Sequence, residues 1–311
     1  MMKAVRAHKR GGPEVLRYED VPVPDVGPGE VLVEVHAAAV TPGELAWEPT
    51  WQSADGADRT PIIPSHEFSG VVAQAGADVN AVTPGTEVYG LIDFYHDGAA
   101  AGYVSLPQEA AVPRPTGLSH VESAALPLAA LTAWQALSDH ARVQSGQRVF
   151  VQGGAGGVGS LAVQLAKALG AEVTATAAEE HAPLVRTLGA DAIVPSVPAA
   201  LAPGEPLFDV LVNTFGGPVP AQSYGLVRPG GRLVTLAQPP DESEAERHGI
   251  QAIFFVVAPD PDELRHIAGL AEQGQLRPVI ARTLPLADAA IAYGPPPAPR
   301  RPGKTVLRVR S

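Results

Sequence analysis

Between Val149 and Ser160 the chain reads VFVQGGAGGVGS, a short apolar run that meets a glycine-dense turn. Behind it, LAVQLAKALG has helical spacing. Gly154, Gly156 and Gly159 fit G-x-G-x-x-G, and the motif sits between a strand pattern and a helix pattern, the context that gives it meaning. Glycines permit the tight turn, bring backbone N–H groups close to a pyrophosphate, and let the helix pack on the strand. The helix N-terminus then faces the anion. The segment therefore predicts a bound dinucleotide, gripped by Gly154, Ala155, Gly156, Gly157, Val158 and Gly159.

The surroundings extend this unit. Strand patterns at 148–152, 172–176, 192–194, 209–213, 232–236 and 251–257 alternate with helix patterns at 157–169, 180–188, 219–226 and 260–273. Such alternation implies a parallel sheet covered on both faces. Before it, Met2-Val5, Val15-Tyr18, Val31-Ala38, Phe68-Ala75 and Glu87-Leu91 read as short strands separated by GGPE, PDVGPGE and TPGT, a compact barrel-like β domain. The stretch 41–64 has two tryptophans and no clear period, and reads as a long loop beside a site. Ser119 with Glu122 three residues on forms a capping box for a helix over Ser119–His140. ARTLPL and KTVLRVR after Pro278 are strand-like and are expected to rejoin the first domain. At 311 residues the chain is long enough for about two domains. The division expected is 1–118, 119–276 and 277–311, with the middle part inserted between two parts of the β domain.

A formal charge of −11 argues against a nucleic-acid or anionic-membrane partner. The chain has no cysteine, hence no disulfide, no thiolate nucleophile and no cysteine-held zinc. MMKAVRAHKRGGPE lacks the apolar core of a signal peptide, and AALPLAALTAW is too short to span a bilayer. A soluble cytoplasmic protein is expected. GxSxG is absent, and none of the histidines forms a metal spacing motif.

Taken together, EVLVEVHAAAVTP (30–42), IPSHEFSGVV (63–72), PGTEVYGL (84–91), QGGAGGVGSLAVQLAKALGA (152–171), GLVRPGGRLVTL (225–236) and GKTVLRV (303–309) resemble the medium-chain dehydrogenase/reductase superfamily, and more closely its zinc-independent quinone oxidoreductase and enoyl reductase branch. The resemblance runs nearly end to end. It implies an α/β fold, a GroES-like β domain plus a Rossmann doubly wound parallel sheet domain, with the cleft between them. It also implies hydride transfer from NADPH to a quinone or an activated enone. His66-Glu67 resembles the segment that supplies a zinc ligand in the alcohol dehydrogenase branch, but the cysteine expected near Thr41 is missing. One histidine does not make a three-ligand site, and no zinc is expected.

An NAD-type site carries Asp or Glu about 20 residues past the glycines, at the tip of the second strand. Here that strand ends Val173-Thr174-Ala175-Thr176-Ala177, without an acid, which favours NADPH over NADH. Thr174 and Thr176 are candidate hydroxyls for the 2′-phosphate. Arg186 and Lys304 are candidate counter-charges, Lys304 being equally readable as a solvated turn lysine. Glu179 and Glu180 would repel that phosphate unless they point away, and leave weak or lost cofactor use open.

Enone reduction needs a donor for the enolate oxygen and a proton for the α-carbon. The branch resembled has Asn-Pro where this chain has Thr41-Pro42, and a tyrosine in the loop that follows. Here 45–60 offers only Trp47 and Trp51, whose N–H groups donate hydrogen bonds but deliver no proton. Water is one alternative. Tyr95 is another, or else an ordinary loop residue. His96 next to Asp97 reads as a surface pair that borders the substrate. Thr132 matches a position near the nicotinamide, or is a helix hydroxyl bonded to its own backbone. Trp47, Trp51, Phe94 and Phe255 form an aromatic wall for a flat substrate, or pack in the core. Asn213 contacts a cofactor ribose or caps the next turn. In the family the strand over 254–259 lies near the nicotinamide carboxamide, which places Phe255 at the cofactor, and its edge pairs with a second subunit, so a homodimer through 251–257 is expected. The leading reading is reduction of a conjugated carbonyl, with a polyketide-type metabolite as one candidate substrate; the alternative is the same fold retooled for cyclisation, dehydration or isomerisation.

Overall fold

The computed structural model describes residues 1–195 and 207–310. Its strands, in chain order, are β1 (Met2–Ala7), β2 (Leu16–Val21), β3 (Glu30–Val40), β4 (Glu67–Ala75), β5 (Glu87–Leu91), β6 (Tyr103–Pro107), β7 (Val112–Pro113), β8 (Arg148–Gln152), β9 (Glu172–Thr176), β10 (Ala192–Val194), β11 (Phe208–Asn213), β12 (Val227–Thr235), β13 (Gln251–Phe254), β14 (Ile280–Pro285) and β15 (Lys304–Arg308). The helices are α1 (Glu48–Trp51), α2 (His120–Ala124), α3 (Pro127–Gln135), α4 (Gly159–Ala168), α5 (Ala182–Thr187), α6 (Ala221–Tyr224), α7 (Glu242–His248), α8 (Pro261–Glu272) and α9 (Ala289–Tyr293). The chain divides into two compact units: 1–128, 258–272 and 278–311 form the first, and 129–257 with 273–277 the second.

In the first unit β1 and β2 pair antiparallel, and a seven-stranded sheet includes the path β14-β15-β3-β4-β5-β7, with β6 also on β3. The alternation along β3 buries Val31, Val33 and Val35 against Phe68, Val72 and Val88. β15 lies between β14 and β3, so the end of the chain rejoins the strands of its beginning. The helix pattern over 260–273 is α8, and it packs in this unit rather than in the second: the buried Tyr89 hydroxyl donates to the Leu264 carbonyl at 2.6 Å. The stretch 41–64 is not simply loop. Pro42–Ala46 forms a 3-10 turn and α1 follows it.

The helix expected over Ser119–His140 exists in pieces. The capping box of Ser119 and Glu122 is present on α2. Pro127 has no N–H to continue the ladder, so α3 starts afresh there and ends in a π turn over Ala136–His140.

The second unit holds six parallel strands in the order β10-β9-β8-β11-β12-β13. Val149, Phe150 and Val151 of β8 and Val210, Leu211 and Val212 of β11 are all buried, as strands covered on both faces must be. The strand order reverses between β8 and β11, whose last residues, Gln152 and Asn213, are register partners. The carboxyl ends of strands at such a switch point are where open α/β sheets bind ligands. β13 is an edge strand and ends at Phe254, short of the expected Val257.

Candidate active site

In the second unit the glycine turn leaves β8 at this switch point. Gly153 has φ +88°, a conformation that L side chains avoid. A Cβ on Gly159 would lie 2.0 Å from the Gly153 carbonyl oxygen, so the start of α4 can approach β8 only without a side chain. Gly156 N–H bonds to the Gly153 carbonyl at 2.9 Å and Ser160 N–H to the Gly156 carbonyl at 3.0 Å. Among the described residues of this unit, the N–H groups of Ala155, Val158 and Gly159 find no acceptor. They open the N-terminus of a ten-residue helix, whose dipole favours an anion there. The cradle fits a nicotinamide dinucleotide's pyrophosphate.

The first unit holds a second constellation, built of buried charge. Glu67 begins β4, and its Oε2 accepts the Leu128 N–H at 3.0 Å, in the first turn of α3. Its Oε1 is paired with the ammonium of Lys304, the first residue of β15. Thr41, where β3 gives way to the 3-10 turn, places Oγ1 3.4 Å from both the Glu67 carboxylate and the Lys304 ammonium. Glu44, on the same turn, accepts the Ser65 N–H at 2.5 Å and the Tyr293 hydroxyl. Burial and the Glu44 carboxylate hold the Tyr293 phenol well above its ordinary range, so it stays a donor. His66 is 1% exposed; its Nδ1 lies 3.8 Å from Glu44 Oε2, and neither ring nitrogen has a hydrogen-bond partner among the described residues. Phe94 stands edge-on to the His66 ring at 5.4 Å and to Trp47 at 5.2 Å.

Two family models match, "Alcohol dehydrogenase GroES-like domain" over residues 27–116 and "Zinc-binding dehydrogenase" over 188–307. The mitochondrial NAD(P)H oxidoreductase RTN4IP1 of Homo sapiens is 31% identical, over 99% of this chain and 89% of that protein. A 2-methylene-furan-3-one reductase of Solanum lycopersicum is 32% identical, over 90% and 71%. A solved quinone oxidoreductase from Coxiella burnetii superposes with TM-score 0.87 at 29% identity, with 99% of each chain covered. This chain belongs to the medium-chain dehydrogenase/reductase superfamily. Within it the protein is an oxidoreductase of the quinone oxidoreductase type, and its cofactor is a nicotinamide dinucleotide.

One family model is described as zinc-binding, but the donor set of this medium-chain oxidoreductase does not fit a zinc ion. Cysteine is absent, and no three His, Asp or Glu side chains converge among the described residues. The Glu67 carboxylate, which a dication would need, carries the Lys304 ammonium instead.

The other residues singled out from the oxidoreductase's sequence fall into three groups. Thr41 joins the buried cluster, and Trp47 and Phe94 flank it through His66. For Trp51 and Asn213 the structure shows the second of the two roles weighed, and Thr174, Thr176 and Lys304 are held within the protein. Trp51 is 2% exposed, donates to the Leu45 carbonyl at 2.9 Å, and packs in the core. Thr174 and Thr176 are buried along β9, and the Thr176 hydroxyl accepts the Gly153 N–H. Lys304 is neither solvated nor an available counter-charge: it is 8% exposed and paired. Asn213 is buried and caps the turn after β11, accepting the Phe215 N–H at 3.2 Å.

His96 pairs with Asp93 at 3.6 Å, not with Asp97, whose carboxylate takes the Ile63 N–H instead. His96 borders a cavity of about 230 Å³ whose wall is mostly apolar, with Leu91, Ile92 and Leu264 beside Asp93, Glu109 and Asp260, and holds none of the expected aromatic residues. The remaining residues stand apart. Tyr95 is 45% exposed and its hydroxyl has no partner among the described residues. Thr132 is buried in α3 of the second unit, and Phe255 packs on His140 there at 4.2 Å. Glu44, Tyr293 and His66 were not expected as a group. They come from three elements far apart in the chain, and only geometry joins them. No described helix is long and apolar enough to cross a membrane.

Proposed function

We propose that the protein reduces a conjugated carbonyl, an enone or a quinone, with NADPH as hydride donor and without zinc. The single observation that carries this is the open glycine turn, with N–H groups at the head of α4 that find no acceptor among the described residues of that unit. A nicotinamide coenzyme held there supplies hydride. NADPH is favoured because no carboxylate stands at Thr176, Ala177 or Ala178 to hold a ribose diol. Arg186 is exposed and makes no ion pair among the described residues. Glu179 and Glu180, both exposed, oppose that preference. Thr41 donates to the substrate oxygen, and the Trp47–Phe94 pair suits a flat conjugated or polyketide-like substrate. The free edge of β13, with Val256 67% exposed beyond it, is where a second copy would dock.

Fluorescence titration with NADPH and NADH tests the first step, and turnover of a simple quinone and a simple enone tests the second. Saturation by NADPH at lower concentration than NADH, with turnover unchanged after chelation, is the expected result. Failure of either coenzyme to saturate at millimolar levels would sink the reading. Binding without turnover would favour a non-redox step on the same fold. Sedimentation at micromolar concentration tests the dimer.

A further inference from the structure

We infer that Phe215 positions the coenzyme, its ring forming the β11-side wall of the nucleotide crevice against which the nicotinamide ribose packs; the inference rests on the coenzyme reading above. All the residues involved lie in the second unit. Phe215 follows β11, which ends at Asn213 on the switch point. Its ring reaches the first residue of the glycine turn: a Cβ on Gly153 would lie 3.2 Å from Phe215 Cε1 and 3.5 Å from Cζ. The loop that carries the ring is fixed to both strands of the switch point. The Phe215 N–H donates to Asn213 Oδ1 at 3.2 Å, and the Thr214 hydroxyl to the Gln152 carbonyl at 2.6 Å. Gln152, the last residue of β8, is held in turn by its Nε2, which donates to Ser223 Oγ at 2.9 Å. The ring that these bonds present is nevertheless 48% exposed. Gly216 and Gly217 follow it, and a side chain on either would meet nothing within 4 Å. A well-anchored loop thus offers one apolar ring to open space beside the phosphate turn.

The order of the strands decides which half of the coenzyme the ring meets. The adenosine ribose of a dinucleotide is held at the tip of the strand that ends about 20 residues past the glycines. Here that strand is β9, on the other side of β8 from β11. The pyrophosphate crosses the head of α4, so the second ribose comes down on the β11 side. The C–H edge of a ribose on a phenyl ring removes apolar surface from water and asks the ring for no hydrogen bond. Such a contact is blind to the 2′-phosphate, which belongs to the adenosine half. Phe215 therefore adds affinity for the nicotinamide half and has no part in the choice between NADPH and NADH.

The test is binding of NADPH, NADH and ADP to the whole protein, the first two by nicotinamide fluorescence and ADP by displacement of NADPH. ADP carries the adenosine and the pyrophosphate but no second ribose. Phe215→Ala is expected to weaken NADPH and NADH by the same factor, about tenfold for the loss of a half-exposed phenyl ring, and to leave ADP binding unchanged. Phe215→Tyr keeps the ring and should stay near the wild type. Unchanged ADP binding also reports that Phe215→Ala is folded. Equal losses for ADP and NADPH would make Phe215 a support of the glycine turn, and unchanged NADPH binding would leave it a surface ring; either result overturns the inference. A wild type that neither coenzyme saturates overturns the inference and the coenzyme reading together. The expected binding series in a protein that turns over neither quinone nor enone overturns the reductase reading alone.

Discussion

The Thr176 hydroxyl accepts the Gly153 N–H at 2.8 Å, and the Thr176 carbonyl accepts the Gly154 N–H at 2.9 Å. The tip of β9 thus holds the first residues of the glycine turn by two bonds from one residue. A valine at this position keeps the carbonyl and removes the hydroxyl. Thr176→Val leaves a buried N–H unsatisfied, which costs about 1–3 kcal/mol. Urea unfolding should show that loss, and Thr176→Ser should not. Coenzyme affinity should fall with it. Unchanged affinity in a destabilised Thr176→Val protein would mean that the turn keeps its shape without this bond.

Gly159 and Gly156 should differ. A methyl group on Gly159 would meet backbone at 2.0 and 2.7 Å, whereas one on Gly156 meets the Gly153 carbonyl oxygen at 3.2 Å. Gly159→Ala should abolish NADPH binding in fluorescence titration, and Gly156→Ala should weaken it only modestly. Gly156→Trp places bulk where a phosphate would lie, and should abolish binding in a folded protein. Tight binding by Gly156→Trp would place the phosphates elsewhere.

The His120 imidazole is pushed down to about 4, first by burial and then by the stacked His36 ring and Arg114, with Glu87 opposing. Its ordinary value is near 6.5, so the folded state resists a proton that the unfolded chain accepts. The stabilisation is complete above pH 6.5 and is lost as pH falls from 6.5 toward 4. For a ring still partly in contact with solvent this amounts to about 1–2 kcal/mol. Urea midpoints at pH 7.5 and 4.5 should fall further apart in the wild type than in His120→Asn. Parallel shifts in the two proteins would assign the acid sensitivity to other groups.

Tyr293 and Ser65 satisfy one oxygen of the buried Glu44. Tyr293→Phe removes a donor from a charged acceptor and should cost about 1.5–3 kcal/mol, read as a lower denaturation midpoint. Coenzyme binding should be untouched, because Tyr293 lies in the first unit and the glycine turn in the second. Loss of NADPH affinity without loss of stability would contradict this division of roles.

Local patterns made the second unit readable. Apolar runs ended by glycine or by a capping residue marked β8, β9, β10 and β11 to within a residue. The glycine turn was equally plain, because its constraint is local backbone geometry. α7 went unnoticed although its signal was present: Asp241 caps the Ser243 and Glu244 N–H groups, and Gly249 closes the helix at φ +65°. β6 went unread although Tyr103–Pro107 alternates in burial, and it is defined by its pairing to β3. The charge cluster could not be read at all. Glu67 and Lys304 are 237 positions apart, and nothing in GKTVLRV says which carboxylate its lysine meets. For the same reason the bond from the Gly153 N–H to the Thr176 hydroxyl was not visible; a hydroxyl's partner across a turn leaves no mark on the chain.

β15 occupies an interior place in a sheet whose neighbour β3 was made more than 260 residues earlier. During synthesis the strands of the first unit must wait while the whole nucleotide-gripping unit leaves the ribosome and becomes free to fold. Until residues 304–308 arrive, Glu67 stands without its cation and β3 has an open edge. The order of translation thus keeps the first unit unfinished until the second has been made.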